Sequence, residues 1–382
     1  MLALYKFELR KIISRKIVWI TGCVMLAGLL IWGVASAVLP ENREYYDSSL
    51  NGYEANWAER EAAELISGRA IDKILIDEMR PAYEDFNFNE NYKEALPYLD
   101  VYNFIGTTLR THASAEVLEC DIEAFYERLN AQLEASTPSG STESITFNKP
   151  IVYYGYYDGW KKIADMMKFI ACMEIMFITI CLSTVFTVEH TRKTDQIILC
   201  TRMGKKKLYA AKIFAGLTVG IGFTMLLSLL MIVIVAFLYG FNGYNTLLQF
   251  VLLRPFNLTV GQAALILIAL SFVGAALVSM FTMMFSELTN NSIATIGMIM
   301  GIVILTMFIM EMPANLKLLS EIWYLLPSNL VSLNGAFRYS AISVGGITCA
   351  AYQYAPFVYA ILSVVFALVG KRTYNHYQIN GR

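Results

Sequence analysis

Six long apolar runs decide what this chain can fold into, because each is almost free of charged residues. A helix rises about 1.5 Å per residue, so a run of about 20 residues crosses a hydrocarbon core about 30 Å thick. Only 16% of the chain is charged and 56% is hydrophobic, a balance that is unusual for a soluble domain. The sequence therefore predicts an all-α polytopic membrane protein with six transmembrane helices. The runs are residues 17–39, 169–188, 213–239, 262–286, 292–310 and 344–369.

The charges between the apolar runs are unevenly distributed. Residues 40–165 hold 24 acidic and 11 basic residues, whereas elsewhere the basic residues cluster at the edges of the apolar runs. Five lie in the first 16 residues and seven in residues 189–212. Short basic connections stay on the cytoplasmic side of a membrane. We therefore predict that both termini and residues 189–212 face the cytoplasm, and that residues 40–165 form an acidic extracytoplasmic domain.

The N-terminus predicts an amphipathic helix followed by the first membrane span. Within residues 1–16, the side chains of Leu2, Tyr5, Leu9 and either Ile12 or Ile13 share one helical stripe. This pattern is typical of an elbow helix lying at an anionic inner leaflet. A basic start before an apolar run also fits a cleavable secretory signal, but the run exceeds the roughly 7 to 15 residues of a signal core. We favour a retained helix.

The rest of the chain divides into one large domain and five further spans. Residues 40–165 predict a mainly helical domain between the first and second spans, because apolar residues recur there at helical spacing. Residues 166–382 predict transmembrane helices 2 to 6, with a cytoplasmic segment at residues 189–212. In the third helix, Gly216, Gly220 and Gly222 give small-residue spacing, which permits close contact with a neighbouring helix.

Glu174 is the one carboxylate inside an apolar run. An ionisable residue in a membrane helix costs a few kcal/mol on insertion scales, so its side chain faces protein or water rather than lipid. Two interpretations stay open from the sequence. Glu174 contributes to a substrate pathway, or it is a protonated or hydrogen-bonded side chain that ties two helices together, with Thr179 and Ser183 as further polar contacts.

The chain shows no pattern of a catalytic or nucleotide-binding site. Its three histidines lie in separate regions and have no metal-binding spacing. The Gly204-Lys205 pair lacks the earlier glycine of a phosphate-binding loop, because Leu199 stands at that place. We therefore predict that the chain is not an enzyme and itself binds no metal, cofactor or nucleic acid.

Residues 189–212 interrupt the apolar chain with basic residues around a small apolar cluster. Ile197, Ile198 and Leu199 lie between charged flanks, which predicts a short amphipathic helix along the inner membrane surface. The order of residues in this segment resembles that of the permease subunits of ABC-2 type exporters. The matching positions are Glu189, Thr194, Ile198, Leu199, Lys205 and Lys212.

The resemblance covers nearly all of the membrane part. It includes the ELRK sequence of residues 8–11, the six-helix layout and the Leu326-Pro327 pair before the last helix. Lys193 and Arg202 depart from the pattern, since family members often carry glycine and proline at these places. The large domain is matched only as an insertion after the first helix, which some branches of the family have.

This resemblance implies a permease subunit of an ATP-binding cassette exporter in the bacterial cytoplasmic membrane. Two copies of a separate ATPase subunit would bind ATP and Mg²⁺ beneath the membrane, and their closure would pass through the 189–212 helix. A second permease, identical or related, would complete the substrate pathway, with membrane lipid around the pair. The residues expected to transmit the closure are Glu189, Thr194, Ile197, Ile198, Leu199, Lys205 and Lys212.

Two other functions stay open from the residues alone. An ion-coupled secondary transporter would show repeated halves and several ionisable residues in its membrane helices. This chain has one such carboxylate and no convincing repeat. A membrane sensor or scaffold would instead bind a ligand through the domain of residues 40–165. The sequence does not identify a substrate for any of the three.

Overall fold

The computed structural model describes residues 2–39, 50–84, 92–111, 113–191, 206–309, 312, 316–340 and 345–376. Within these residues the fold is helical, and extended segments meet only in isolated bridges. The α-helices are α1 (Leu2–Ile13), α2 (Lys16–Val38), α3 (Gly52–Glu64), α4 (Lys73–Glu84), α5 (Tyr92–Ala95), α6 (Leu99–Leu109), α7 (Ser114–Leu118), α8 (Ile122–Ala135), α9 (Asp158–Leu182), α10 (Thr184–Thr191), α11 (Lys206–Leu238), α12 (Val260–Thr289), α13 (Ser292–Phe308), α14 (Lys317–Tyr324), α15 (Pro327–Leu330), α16 (Leu333–Ala336) and α17 (Ala351–His376). Short 3-10 helices lie at Leu96–Tyr98 and Leu248–Phe250.

Five of the described helices are long and apolar enough to cross a membrane. They are α2, α9 together with the start of α10, α11, α12 and α17. The run predicted at residues 292–310 forms the apolar helix α13, which has 17 described residues and is shorter than the other five. The all-helical, multi-pass class is thus confirmed for the described residues, whereas a sixth span stays a prediction.

Helices α9 and α12 form the centre of the bundle. In α9, 78% of the apolar segment is buried inside the protein, against 22% in α2 and 17% in α17. Helix α9 packs against α2, α11 and α12, and α17 packs on the far side of α12. Because no water is available to hydrate a polar side chain in lipid, the polar residues of α9 and α12 depend on partners within this centre.

Two glycines of α11 explain how closely it approaches its neighbours. A Cβ atom at Gly216 would lie 2.5 Å from Met283 Sδ, and one at Gly220 would lie 2.3 Å from Ser279 Oγ. Both distances are far below a van der Waals contact, so only glycine permits this packing of α11 on α12. The predicted close contact is confirmed at Gly216 and Gly220 but not at Gly222, where an added Cβ would meet no atom within 4 Å.

The ends of several helices differ from the apolar runs. Helix α9 begins at Asp158, inside the range predicted for the large domain, and a break at Ser183 separates it from α10. The last helix begins at Ala351 and continues to His376. Polar and charged residues continue these helices because a helix extends past the apolar run into the headgroup region.

The described residues between α2 and α9 form what we call the inserted domain. Its helices pack around buried apolar side chains of α6 and α8, among them Phe104 and Phe125, whose rings meet edge to face at 5.7 Å. Tyr126 links two distant segments of the inserted domain. Its hydroxyl donates to the Ile71 carbonyl at 3.0 Å and accepts from the Ile151 N–H at 2.7 Å.

The inserted domain is attached to the membrane helices by side chains from several elements. Phe104 stacks on Phe250 at 4.2 Å, which lies in the connection between α11 and α12. The Glu143 carboxylate accepts hydrogen bonds from the Tyr352 hydroxyl at 2.5 Å and from the Gln353 amide at 2.7 Å, both at the start of α17. The domain is therefore fixed to the bundle on two sides.

Candidate functional site

Lys212 lies in a buried ion pair at the end of the bundle that carries the basic residues. Its ammonium group donates to Glu8 Oε2 at 3.2 Å and to the Val185 carbonyl at 3.2 Å. Lys212 is 0% exposed and Glu8 is 2% exposed. One lysine of α11 thus joins α1 and α10, and it lies close to both described ends of the 189–212 segment.

An aromatic cluster surrounds this ion pair. The Lys212 ammonium lies 5.4 Å from the centre of the Phe186 ring, a distance at which a cation is attracted to the face of the ring. Phe186 contacts Tyr209 and Tyr374, and the Tyr209 hydroxyl donates to the Ala367 carbonyl at 2.8 Å. The cluster connects α10, α11 and α17, so a displacement of α10 would reach two other helices.

Helix α1 is fixed along the start of α11. The Tyr5 hydroxyl lies 2.9 Å from the Thr218 hydroxyl, and Ile12 is buried. Leu2 and Phe7 remain exposed by 67% and 63%, which suits a helix that contacts lipid on one side. A separate helix before the first span is therefore present, while its place at a membrane surface stays a prediction.

The structure describes only part of the predicted coupling segment. The backbone of Glu189 belongs to α10, and Lys212 lies on α11. Five other predicted residues lie outside the described residues, so their role stays a prediction; they are Thr194, Ile197, Ile198, Leu199 and Lys205.

The partner of Lys212 could not be found from local spacing, because Glu8 stands 204 residues earlier in the chain. One signal in the sequence was available. Glu8 lies three residues after Tyr5 and four before Ile12, on the apolar face of α1. A carboxylate on that face requires a cation from another element, because burying an unpaired charge is costly.

Glu174 is buried at the centre of the bundle, as the sequence required. It is 2% exposed, and its Oε1 atom has no hydrogen-bond partner. Thr224 of α11 lies beside it, yet the Thr224 hydroxyl also lacks a hydrogen bond of good geometry. Phe177 and Phe223 stack at 3.6 Å one turn away. The structure therefore places Glu174 among protein groups rather than against lipid.

Glu174 and Lys212 belong to separate sites. Lys212 and Glu8 lie beside the break between α9 and α10, whereas Glu174 lies about two turns earlier within α9. The buried hydroxyl of Ser228, one turn beyond Thr224 on α11, is also without a partner. Both hydroxyls of α11 are therefore buried without a partner, and Thr224 lies beside Glu174.

A comparison with protein families shows the class of this chain. The model of the ABC-2 family transporter proteins matches residues 2–322, which include α1, the inserted domain and the helices of both sites. The chain therefore belongs to the ABC-2 transporter family. It is a permease component of an ABC transporter, in a family whose members are generally non-enzymatic membrane subunits that function with an ATPase partner. No curated protein and no solved structure matches the chain.

Proposed function

We propose that this chain is the permease of an ATP-driven exporter in the bacterial cytoplasmic membrane, with both termini in the cytoplasm. Two permeases, identical or related, form the substrate pathway, and two ATPase subunits dock beneath them. ATP and Mg²⁺ are bound by the ATPase subunits. The observation that supports this proposal best is the Lys212 ion pair, which joins α1, α10 and α11 beside the described ends of the 189–212 segment.

In the proposed coupling, the 189–212 segment moves together with the helices that flank it. Residues 189–212 bring apolar and basic side chains to the ATPase, with Ile197, Ile198 and Leu199 as the docking ridge. A push on this segment reaches α10 and the start of α11 together, because Lys212 holds both. Closely packed helices transmit such a displacement rather than absorb it.

Glu174 is the candidate for the substrate pathway within this scheme. Its carboxylate has an unused oxygen between α9 and α11, and these two helices continue into the Lys212 cluster. A shift of α11 relative to α9 would therefore change the surroundings of Glu174. Family membership gives no support to an ion-coupled secondary transporter or to a membrane scaffold.

The test of docking is the double substitution Ile198→Asp and Leu199→Asp. We expect the tagged chain to insert normally but to lose its ATPase partner, because two carboxylates cannot occupy an apolar cleft. The measurement is Mg²⁺-dependent ATP hydrolysis in the material that co-purifies with the chain from gently solubilised membranes of its native host.

The matched control changes the same residue types outside the segment. Leu65 and Ile74 of the inserted domain are exposed by 76% and 63%, so Leu65→Asp with Ile74→Asp adds the same charge elsewhere. This control should retain the ATPase activity of the unsubstituted chain. Equal retention by both double variants would show that Ile198 and Leu199 do not dock the partner.

A further inference from the structure

A cavity of about 330 Å³ lies between the inserted domain and the start of α9. Its volume is within the range of sites for small molecules, which begins at about 300 Å³. Apolar walls come from α3, α6 and the connection between α11 and α12, including Ala63, Leu99 and Phe250. Neither the Lys212 cluster nor Glu174 contributes to it.

The cavity holds an excess of acidic side chains. Glu59 of α3, Asp100 of α6 and Asp158 at the start of α9 line it, and Lys161 is the one cation among its lining residues. Lys161 forms an ion pair with Asp158, since their charged atoms lie 3.7 Å apart. Glu59 and Asp100 therefore face the cavity without a cation of their own.

The surroundings disfavour the ionised forms of Glu59 and Asp100. Burial, with the nearby charge of Asp158, raises the pKa of Asp100 to about 7 although the Tyr153 hydroxyl donates a hydrogen bond to it. Burial, with Asp158 and Asp100, raises the pKa of Glu59 well above its ordinary value. The Lys161 charge opposes both shifts without cancelling them. A positive charge brought into the cavity would reverse this preference.

A buried tyrosine also lines the same space. Tyr156 is 2% exposed and lines the cavity, and its hydroxyl forms no hydrogen bond of good geometry. It lies close enough to Glu59 to lower the pKa of that carboxyl slightly. Buried hydroxyls normally have partners, so an unsatisfied one indicates that a ligand group or water completes the site.

The arrangement favours an organic cation over a metal ion. Among the described residues, no group of three His, Cys, Asp or Glu side chains is close enough to hold a metal ion. The walls offer Phe250, Tyr156 and Tyr157, and aromatic faces attract ammonium and guanidinium groups. An apolar stem could pack on Leu96 and Leu99 while its charged end reaches the carboxylates.

We propose that this cavity binds the cationic end of a small organic molecule, an ammonium or guanidinium group on a short apolar stem, with Glu59 and Asp100 as its ion-pair partners. Asn103 and Thr107 supply polar groups on the same wall. The binding needs no ATPase and no movement of the Lys212 cluster, so it stands apart from the proposed coupling.

The test is isothermal titration of the full chain in detergent with two probes of nearly equal shape. N-acetyl-arginine amide carries a guanidinium, and N-acetyl-citrulline amide carries a neutral urea group. We expect one arginine probe to bind per chain, and the citrulline probe to bind at least about tenfold more weakly because it forms no ion pair. Between pH 6 and pH 8 the arginine affinity should rise about tenfold, as Asp100 loses its proton.

Substitutions locate the binding in the cavity. Asp100→Asn and Glu59→Gln, made separately, should each weaken binding of the arginine probe at least about tenfold. Glu127→Gln, which neutralises an exposed carboxylate of α8 outside the cavity, should leave it unchanged. Size-exclusion profiles matching the unsubstituted chain confirm folding, and two separate cavity variants keep the test open if one fails to fold.

Several results would overturn the inference. Equal affinity for the two probes would mean that charge is not recognised. Absence of binding at pH 8 would mean that the cavity takes no such cation. Binding that persists unchanged in both cavity variants would place the probe elsewhere, and stoichiometric Ca²⁺ binding without arginine binding would make it a metal site.

Discussion

The protein contains two groups of charged side chains that differ in their ratio of carboxylates to cations and in their exposure to solvent. At the Lys212 cluster the Glu8 carboxylate and the Lys212 ammonium are both enclosed, the ammonium also donates to a backbone carbonyl, and Lys11 lies 3.8 Å from the same carboxylate. In the cavity beside the inserted domain, three carboxylates share one lysine, and Asp158 and Lys161 remain partly exposed. In the first group the carboxylate has cations beside it and is closed off from solvent, whereas the second group has more carboxylates than cations and is open.

This difference in charge and exposure indicates a different role for each region. A paired and enclosed group holds its helices in one arrangement, because separating Lys212 from Glu8 would leave the lysine charge buried without its carboxylate in a medium of low dielectric. A group with more carboxylates than cations favours the uptake of positive charge, either as a proton or as a cationic ligand. The closed pair suits mechanical transmission, and the open cluster suits binding.

The largest effect should come from breaking the closed pair. Lys212→Met leaves the buried Glu8 carboxylate with only the partly exposed Lys11 at 3.8 Å, so we expect a loss of about 3 kcal/mol in the free energy of unfolding, the lower end for breaking a buried ion pair. Thermal unfolding of the detergent-solubilised chain measures the change. Lys207→Met, which removes an exposed lysine of the same helix, should alter the free energy by less than about 0.5 kcal/mol.

A double substitution separates an ion pair from simple packing. In Glu8→Leu with Lys212→Met, neither charge remains, so most of the lost stability should return. If the double variant is as unstable as Lys212→Met alone, the lysine acts through its stem and its bond to Val185 rather than through Glu8.

The open cluster should make stability depend on pH, with a smaller magnitude. Between its ordinary pKa and about 7, Asp100 holds a proton in the folded chain while the unfolded chain has lost it. The folded state then binds more protons, so stability falls as pH rises. We expect a loss of about 2–3 kcal/mol between pH 5 and pH 8 from this carboxyl.

Asp100→Asn identifies the share of that dependence that belongs to one group. The variant should unfold at a temperature that changes less between pH 5 and pH 8 than that of the unsubstituted chain. The other titrating groups are common to both proteins, so the difference between the two profiles reports Asp100 together with its influence on the pKa of Glu59. Identical profiles would show that the Asp100 proton is not retained on folding.

The sequence predicted the parts of the molecule that depend on local pattern. The membrane helices followed from apolar runs, and the contact at Gly216 and Gly220 followed from their spacing in one helix. The cavity and the Glu8 pair could not be predicted, because their members come from elements far apart in the chain and meet only through tertiary packing. In residues 40–165 a high acidic content was visible, but Glu59 and Asp100 looked like solvated surface residues.

The smallest effect on folding should come from Glu174. It is a single carboxylate in the centre of the bundle and belongs to neither group of charges. Glu174→Gln preserves its shape and size, and Oε1 has no partner to lose, so we expect the free energy of unfolding to change by less than about 1 kcal/mol.

If Glu174 lies on the substrate pathway, the same variant should still change substrate-stimulated ATP hydrolysis of the assembled transporter. Thr179→Val serves as a matched control, since its hydroxyl bonds only to the Ile175 carbonyl of its own helix. Unchanged hydrolysis in Glu174→Gln would leave it a residue that ties α9 to α11, because a role in the pathway requires that the carboxylate and its amide differ.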